Sequence, residues 1–410
     1  MSQYTYLNRA IIFAFMIVTL DMIGVSLIMP ALPFLLEEIT GLGAKQTADI
    51  SGYLQSSYAV MQFLFGATLG SLSDRFGRKP VILFAMGMFV LDYIIMASAT
   101  SLWLLFLGRI LAGLSGASAS VAFSIAADAS TTKDKAKAMG LVSAGFGLGF
   151  MIGPALGGII IAFFGIRAPF IFAALVSLLA FFMVLVFFKE TLPKKRAFSL
   201  RKSNPLAAIK SIVKMRSLST FFLIYIFLEI AGTTYPSIWS YYVIAKFGWT
   251  ELLIGYSLML AGALSFFVSA GLIGPVQNRL GERRTISLGL FFTAFAFFGF
   301  SFIENPLWLW LLLIPCALGD LAYAPLQGLL SNATAEDRQG ELQGSLAMLS
   351  ALALIITPIG ATQLFHFTTS SQLTFSFAGA PMLAAALLVT LSLVLFLRKT
   401  RDLKTKAKAP

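Results

Sequence analysis

The sequence predicts an all-α membrane protein with twelve transmembrane helices in two six-helix pseudo-symmetric halves. Three observations lead to this fold class: an apolar composition, a series of long apolar segments and an internal repeat. Hydrophobic residues make up 58% of the 410 residues, charged residues only 12%, and the mean hydropathy is +0.87. Soluble globular proteins carry about 25% charged residues, so the composition excludes a water-soluble fold.

Twelve segments are long and apolar enough to cross a bilayer. The hydrocarbon core is roughly 30 Å thick and a helix rises about 1.5 Å per residue, so a span needs about 20 apolar residues. Longer segments can tilt or protrude. The predicted spans, numbered 1 to 12, are residues 9–36, 52–72, 81–99, 102–129, 137–163, 167–188, 218–246, 250–275, 286–303, 305–331, 341–366 and 374–397.

Positive charge is concentrated on one side of this topology. With both termini in the cytoplasm, 26 of the 30 Lys and Arg residues lie on the cytoplasmic side, and only Lys45, Arg167 and Lys246 lie opposite. This positive-inside bias predicts a multi-pass protein of a bacterial inner membrane with cytoplasmic termini. It also explains the net charge of +12 without nucleic acid as a partner. The basic segments Lys189–Arg216 and Arg398–Lys408 are predicted to touch anionic lipid of the bilayer.

Cysteine and histidine are too scarce for several kinds of site. Cys316 is the one cysteine, so an intrachain disulfide and a thiolate metal cluster are excluded. His366 is the one histidine, which argues against a zinc site and against an intramembrane enzyme. We therefore expect no metal, no cofactor and no enzymatic activity. The apolar run from Ile11 leads into a full span, so a cleaved signal peptide is not expected.

An internal repeat relates the two halves of the chain at a constant offset of 204 residues. The matched pairs are Gly70/Gly274, Arg75/Arg279, Gly77/Gly281, Gly140/Gly344 and Pro154/Pro358. We expect a first bundle at residues 1–188, a basic cytoplasmic linker at 189–216, and a second bundle with a basic tail at 217–410. Each half has an even number of spans, so the repeat is parallel; such repeats place the substrate site between the halves and give alternating access by rocking.

Five ionisable residues lie inside predicted spans, away from the loops: Asp21, Asp92, Arg109, Glu229 and Asp320. Such groups are costly in hydrocarbon unless they are paired or hydrated. One interpretation is a buried ion pair with Arg109 that only locks helices together. The functional interpretation is proton coupling, because desolvation favours the protonated form of a buried carboxylate. We predict Asp21 and Asp92 as proton or substrate carboxylates balanced by Arg109, and Glu229 and Asp320 as either cavity groups or structural polar groups.

The loop between spans 2 and 3 reads Gly70-Ser-Leu-Ser-Asp74-Arg75-Phe-Gly77-Arg78-Lys79. Its two glycines predict a tight turn. Asp74 is predicted to meet the positive N-terminal end of a neighbouring helix, and Arg75, Arg78 and Lys79 are predicted to lie at the cytoplasmic surface. A turn that serves only the positive-inside bias is the alternative. The repeat places Asn278 at the position of Asp74, so the acidic group occurs only once.

This loop and the two six-span halves resemble the major facilitator superfamily, and the resemblance covers essentially the whole chain. It implies the major facilitator fold, a monomer, and a small-molecule substrate. It also implies a gate latch between the halves, formed by Gly70, Asp74, Arg75, Gly77, Arg78 and Lys79.

Span 5 has a glycine at every fourth residue. Such a row of small residues lets another helix approach closely, and a proline among them favours a kink. The string resembles the antiporter motif of exporters in the superfamily. The motif residues are Gly145, Gly149, Gly153, Pro154, Gly157 and Gly158. The second half keeps only the proline, Pro358, and this asymmetry favours export over uptake.

The first half further resembles the tetracycline/proton antiporters and their multidrug relatives. The matching segments include Leu20–Pro33, Tyr58–Gln62, Leu91–Tyr93, Leu107–Gly113, Asp128 and Arg338–Gly344. The resemblance implies that Asp21, Asp74, Asp92 and Arg109 are essential to coupled transport. It also implies that Tyr58 and Gln62 line the cavity.

The second half departs from that pattern. Tetracycline pumps have an acidic residue in span 9 where this chain has Thr293, and a histidine and a glutamine in span 8 where it has Ser265 and Ser269. Since tetracycline is carried as a metal chelate, these differences argue against that cargo. The three residues remain predicted cavity residues.

Aromatic residues complete the predicted cavity, namely Tyr235, Trp239, Tyr241 and Tyr323. Together these features predict proton-coupled efflux of a small amphiphilic molecule, such as a drug or a secreted metabolite. The alternative on the same fold is a proton-coupled uptake symporter for a nutrient or a siderophore, because the fold does not set the direction of transport.

Overall fold

The computed structural model describes residues 3–114, 116, 118–131, 134–192, 212, 215, 218–370 and 376–406. Most of the predicted linker and the end of the tail lie outside the described residues. Within them every regular element is a helix. The α-helices are α1 (Gln3–Leu27), α2 (Leu32–Thr40), α3 (Ala44–Phe76), α4 (Arg78–Ser98), α5 (Leu102–Leu114), α6 (Ser118–Asp128), α7 (Lys135–Phe164), α8 (Ala168–Phe187), α9 (Ser219–Phe247), α10 (Glu251–Phe267), α11 (Ile273–Leu280), α12 (Glu282–Phe302), α13 (Pro306–Leu318), α14 (Tyr323–Asn332), α15 (Gln339–Thr369) and α16 (Ala380–Lys406).

The described residues contain eleven helices that are long and apolar enough to cross a membrane. Predicted span 2 is not among these eleven because its helix, α3, carries Gln55 and Gln62 among its apolar residues and is more polar than the others. At 33 residues, α3 is nevertheless long enough to cross a bilayer. The all-α membrane fold with this order of spans is therefore confirmed.

Span 1 is shorter than predicted. We expected one helix over residues 9–36, but α1 ends at Leu27 and α2 begins at Leu32. Two prolines, Pro30 and Pro33, explain the correction, since proline has no N–H to continue a helix but is tolerated in the first turn of the next one. Pro33 lies in that first turn of α2.

Three other spans contain more than one helical segment. Span 4 comprises α5 and α6. Span 8 comprises α10, a π-helix at Val268–Leu272 and α11, and span 10 comprises α13, a 3₁₀ turn at Gly319–Ala322 and α14. Two predicted cavity residues, Ser269 and Asp320, lie in these irregular segments, and such segments often occur at functional positions.

The helices group into two compact units. The first contains α1 to α8 together with Trp249–Gly262, and the second contains α9 and the chain from Ala263 onward. The start of α10 joins the first unit because Gly158 of α7 packs directly on the Glu251 backbone. The boundaries that we placed at residues 188 and 217 stay a prediction.

The core of the first unit consists of two clusters of buried apolar side chains. Val18 and Ile82 belong to one cluster, and Leu27 and Phe89 belong to the other. Asp21 lies between Val18 and Leu27 along α1. Asp21 therefore lies where one apolar cluster gives way to the other, whereas Asp92 and Arg109 lie on stretches of α4 and α5 that belong to the second cluster.

The internal repeat is visible in the turns that carry it. Gly77 links α3 to α4 with φ 116° and ψ 161°, and Gly281 links α11 to α12 with φ 78° and ψ 159°. Both conformations lie in a region that is essentially restricted to glycine. Gly70 lies inside α3, so the expectation that two glycines form the turn was wrong: Gly77 alone does so.

Candidate functional site

The first unit contains a buried ion pair between spans 3 and 4. Asp92 of α4 is fully buried, and its carboxylate pairs with the guanidinium of Arg109 on α5. The Arg109 side chain is 14% exposed. Removal of a partner from a pair in this setting leaves an uncompensated buried charge, so the two residues depend on each other.

Asp21 has a different environment. Its carboxylate accepts a hydrogen bond of 2.6 Å from the Ser118 hydroxyl of α6, and both side chains are buried. Among the described residues Asp21 is in no ion pair, whereas Arg109 pairs with Asp92. The prediction that Arg109 balances both acids thus needs correction, because the direct pairing is with Asp92 alone.

Tyr58 and Gln62 of α3 lie beside this group, and their place in the cavity stays a prediction. The Gln62 amide donates to the Gly116 carbonyl at 3.0 Å and to the Tyr58 hydroxyl at 3.4 Å. The Arg109 guanidinium lies over the Tyr58 ring at 5.9 Å from its centroid, within the range of a cation–π contact. The structure therefore brings spans 1 to 4 together around one polar cluster.

Where α3 meets α4 in the first unit, Arg78 is the centre of a charged network. Its guanidinium pairs with Asp74 at 2.6 Å and with Asp128 at 2.9 Å, and it donates to the Ser73 hydroxyl at 2.6 Å. Arg78 is 5% exposed, so it is a buried residue and not the surface residue that we predicted. Arg75 is exposed, as predicted.

The prediction that Asp74 meets the N-terminal end of a neighbouring helix was wrong. Asp74 pairs with Arg78, and the carboxylate at the N-terminal end of α4 belongs to Glu190, which accepts the N–H of Arg78 at 2.9 Å. The role of the loop as a gate latch stays a prediction.

The glycine row of α7 packs against α1. A Cβ added at Gly149 would collide with Met22, one at Gly153 with the Ser26 hydroxyl, and one at Gly157 with the Leu27 backbone. The Ser26 hydroxyl also donates to the Gly149 carbonyl at 3.0 Å. Side chains at these positions would push the two helices apart.

The other edge of the motif packs on a second helix. Gly158 contacts the backbone of Glu251, and Gly255 of α10 lies against the carbonyl of Pro154. Gly145 continues the first row, against Thr19 and the Phe15 carbonyl. The motif thus serves two close helix contacts, and its assignment to antiport stays a prediction.

In the second unit, Glu229 lies in a network of neutral donors. Tyr225 and Ser350 hydrogen-bond its carboxylate, and their two hydroxyls are 3.0 Å apart. Gln327 donates to the Tyr225 hydroxyl at 3.4 Å, and Tyr323 donates to the Leu228 carbonyl at 3.0 Å. Spans 7, 10 and 11 therefore meet at this acid.

Asp320 lies in a second group, with two of the predicted cavity residues nearby. Ser265 hydrogen-bonds its carboxylate. Thr293 donates to the Gly289 carbonyl at 3.0 Å and packs where a Cβ at Gly319 would stand. Ser269 is exposed in the π-helix. The structure thus brings Ser265 to Asp320, and Thr293 to the residue that precedes it.

The predicted aromatic residues of α9 form part of a packed cluster. Trp239 is fully buried, with its ring centroid 4.5 Å from Tyr235 and 5.3 Å from Phe300. Tyr241 is 2% exposed. Trp239 and Tyr241 therefore line no open surface in this structure, and their contact with a substrate stays a prediction.

Sequence reasoning missed several partners of these residues. Tyr225 precedes Glu229 by one helical turn, so its position on the same face could have indicated it. Ser118, Glu190 and Ser350 are far along the chain from the groups they contact, and no local pattern marks them.

Comparisons with known proteins agree with this arrangement of helices. The Major Facilitator Superfamily profile matches residues 14–358 and 221–410. The chain is 36% identical over 366 residues to the tetracycline resistance protein, class G, of Vibrio anguillarum, covering 89% of this chain and 92% of that protein. It is 30% identical over 369 residues to multidrug resistance protein 2 of Bacillus subtilis, covering 88% and 89%.

Two solved structures show the same fold. The human organic anion transporter MFSD10 superposes with a TM-score of 0.71 at 22% identity, covering 95% of this chain and 99% of that one. A bacterial homologue of the human lysosomal transporter Spinster, inward-facing and unoccupied, superposes with a TM-score of 0.76 at 14% identity, covering 97% of both chains. The protein is therefore a multi-pass membrane transporter and not an enzyme. It belongs to the Major Facilitator Superfamily, in the drug/proton antiporter group of the tetracycline resistance proteins.

Proposed function

We propose that the protein is a proton-coupled exporter of a small amphiphilic molecule, either a drug or a secreted metabolite. In this proposal it works as a monomer in the inner membrane of a bacterium, with both termini in the cytoplasm. Its halves alternate between access from each side. The excess of Lys and Arg on one side of the predicted topology supports the orientation.

The observation that carries the proposal is the environment of Asp21. The carboxyl group is buried in the middle of the first unit and is bonded by the neutral Ser118, with no ion pair among the described residues. Desolvation penalises the charged form of a carboxyl group in such a place. Proton uptake and release can therefore follow its access to each side of the membrane. Asp92, by contrast, is held by the fixed positive charge of Arg109.

The direction of transport is argued from two features. A transporter whose relatives are resistance proteins protects a cell by lowering the internal concentration of a drug, which requires export. The glycine row of α7 against α1 supports the same direction through its resemblance to the antiporter motif of exporters.

The cargo is argued from the second unit. Thr293, Ser265 and Ser269 stand where tetracycline pumps carry stronger metal-binding or acidic groups. Tyr225 lies beside Glu229, and Tyr323 lies near both Glu229 and Asp320. Aromatic rings with a few polar groups suit amphiphilic ligands. We therefore propose an amphiphilic cargo that does not depend on a bound metal ion.

Coupling is tested with purified protein in liposomes that contain a pH-sensitive dye. A cargo found by a thermal-shift screen is supplied as a gradient, and proton flux in the opposite direction is measured. Asp21→Asn and Asp92→Asn are expected to abolish proton flux, whereas the matched control Asp337→Asn, on the exposed loop before α15, is expected to retain it. Normal coupling in both intramembrane variants would refute the proposal.

Direction is tested separately in cells. Expression is expected to lower the accumulation of the cargo and to raise tolerance to it, and an uncoupler is expected to abolish both effects. Accumulation that rises on expression and collapses with the uncoupler would instead establish the uptake symporter.

A further inference from the structure

The end of span 6 is fastened to the start of span 3 by two reciprocal contacts. Lys79 donates from Nζ to the Leu185 carbonyl at 2.9 Å, in the last turn of α8. Glu190 accepts the N–H groups of Arg78 at 2.9 Å and Lys79 at 3.1 Å, in the first turn of α4. A cation at a helix C-terminus and an anion at a helix N-terminus each complement the helix dipole. We call these four residues the span 3–6 clasp.

Further N–H donors and a glycine surround the Glu190 carboxylate. The same group accepts the N–H of Thr191 and of Leu192, each at 3.0 Å, so it also folds the chain that follows it. A Cβ at Gly77 would collide with the Glu190 carboxylate. The Thr191 hydroxyl, next to Glu190 in the chain, is buried.

Arg78 connects the clasp to the charged network of the predicted latch. Its backbone N–H is bound by Glu190, while its guanidinium is bound by Asp74, Asp128 and Ser73. Since one residue takes part in both sets of contacts, a shift of either set displaces the other.

We propose that Glu190 is a positioning residue of the latch: it fastens the first residues of the linker, from residue 189, to Arg78, so that the latch and the linker entry move together. The importance of this link for transport rests on the proposed function. The link itself is a property of the folded chain and can be measured without cargo.

The test measures exposure of the linker entry in the purified full-length protein in detergent. Thr191→Cys introduces a thiol at the buried position, and its rate of reaction with a maleimide is measured. The protein without this substitution reacts only at Cys316, and its rate is subtracted as the background. Glu190→Gln is expected to raise the rate at least about tenfold, since hydrogen bonds to a charged acceptor contribute that factor or more. Lys79→Met, which removes the other half of the clasp, provides a second variant.

The decisive variant is Asp128→Asn, which changes the charged network around Arg78 at a residue that belongs neither to the clasp nor to the predicted latch. It is expected to raise the rate about threefold through Arg78, while the control Glu341→Gln, which breaks the exposed pair with Arg338, leaves it unchanged. An unchanged rate in both Glu190→Gln and Lys79→Met would overturn the clasp. A raised reaction rate in Glu190→Gln or Lys79→Met, with an unchanged rate in Asp128→Asn, would overturn the link between the clasp and the charged network around Arg78. If the rates change as expected but proton flux is absent, the proposed function fails and the clasp stands.

Discussion

The turn at Gly77 and the turn at Gly281 have similar backbone conformations but different side-chain surroundings. Both glycines have a positive φ and join two helices at equivalent points of the repeat. At Gly77 the space beside the turn is filled by Glu190, whereas a Cβ at Gly281 would meet no atom of the described residues within 4 Å. Arg78 is buried among acids, and the repeat places Glu282 at its position; Arg279, the counterpart of the exposed Arg75, is exposed as well.

The difference shows what the duplicated halves have kept. The glycine conformation is needed for the helices to reverse direction, so both halves retain it. Asp74 is not needed for that reversal, because the second turn is formed with Asn278 in its place. We therefore interpret the charged network of the first turn as a functional addition to a structural turn.

The largest expected effect separates Asp74 from its counterpart. Asp74→Asn removes a charge that pairs with the buried Arg78 at 2.6 Å, and is expected to lower the maximal rate of transport at least about tenfold. Insertion into the membrane is expected to be normal. The reciprocal change Asn278→Asp, on an exposed position, is expected to alter the rate less than about twofold. Equal rates for wild type and Asp74→Asn in liposomes would remove the functional distinction between the turns.

The second effect concerns stability. Arg78→Gln leaves Asp74 and Asp128 without their partner, and is expected to lower the free energy of unfolding by about 1–3 kcal/mol. Arg279→Gln, at an exposed site, is expected to change it by less than about 0.5 kcal/mol. Thermal unfolding in detergent provides the comparison, and similar melting temperatures for the two variants would contradict the burial argument.

The smallest effect compares the glycines themselves. Gly77→Ala and Gly281→Ala both force alanine into a conformation that costs about 1–3 kcal/mol. Gly77→Ala should lose about 1 kcal/mol more, because its methyl group would displace the Glu190 carboxylate from the N–H groups it binds. In a Glu190→Ala background this extra loss is expected to vanish, and a persistent difference there would point to another cause.

Much of the fold follows from local properties of the chain. Apolar length predicts the spans, and the restricted conformation of Gly77 and Gly281 preserves the repeat. The site residues Asp21, Asp92 and Arg109 could be predicted because an ionisable group inside a span is energetically costly and is usually kept for a function. Partners such as Ser118 and Glu190 could not be predicted, because they are small or surface-type residues whose contacts depend on how distant helices pack. The end of α1 at Leu27 was missed because the apolar run continues past Pro30.

The contact between α1 and α7 has a consequence for how this transporter can evolve. At Gly149, Gly153 and Gly157 even a methyl group meets the facing helix, so almost any mutation there is expected to be rejected by selection. A lineage exposed to a new compound must adapt elsewhere. We expect natural variants with an altered drug spectrum to accumulate changes among the polar and aromatic side chains around Glu229 and Asp320.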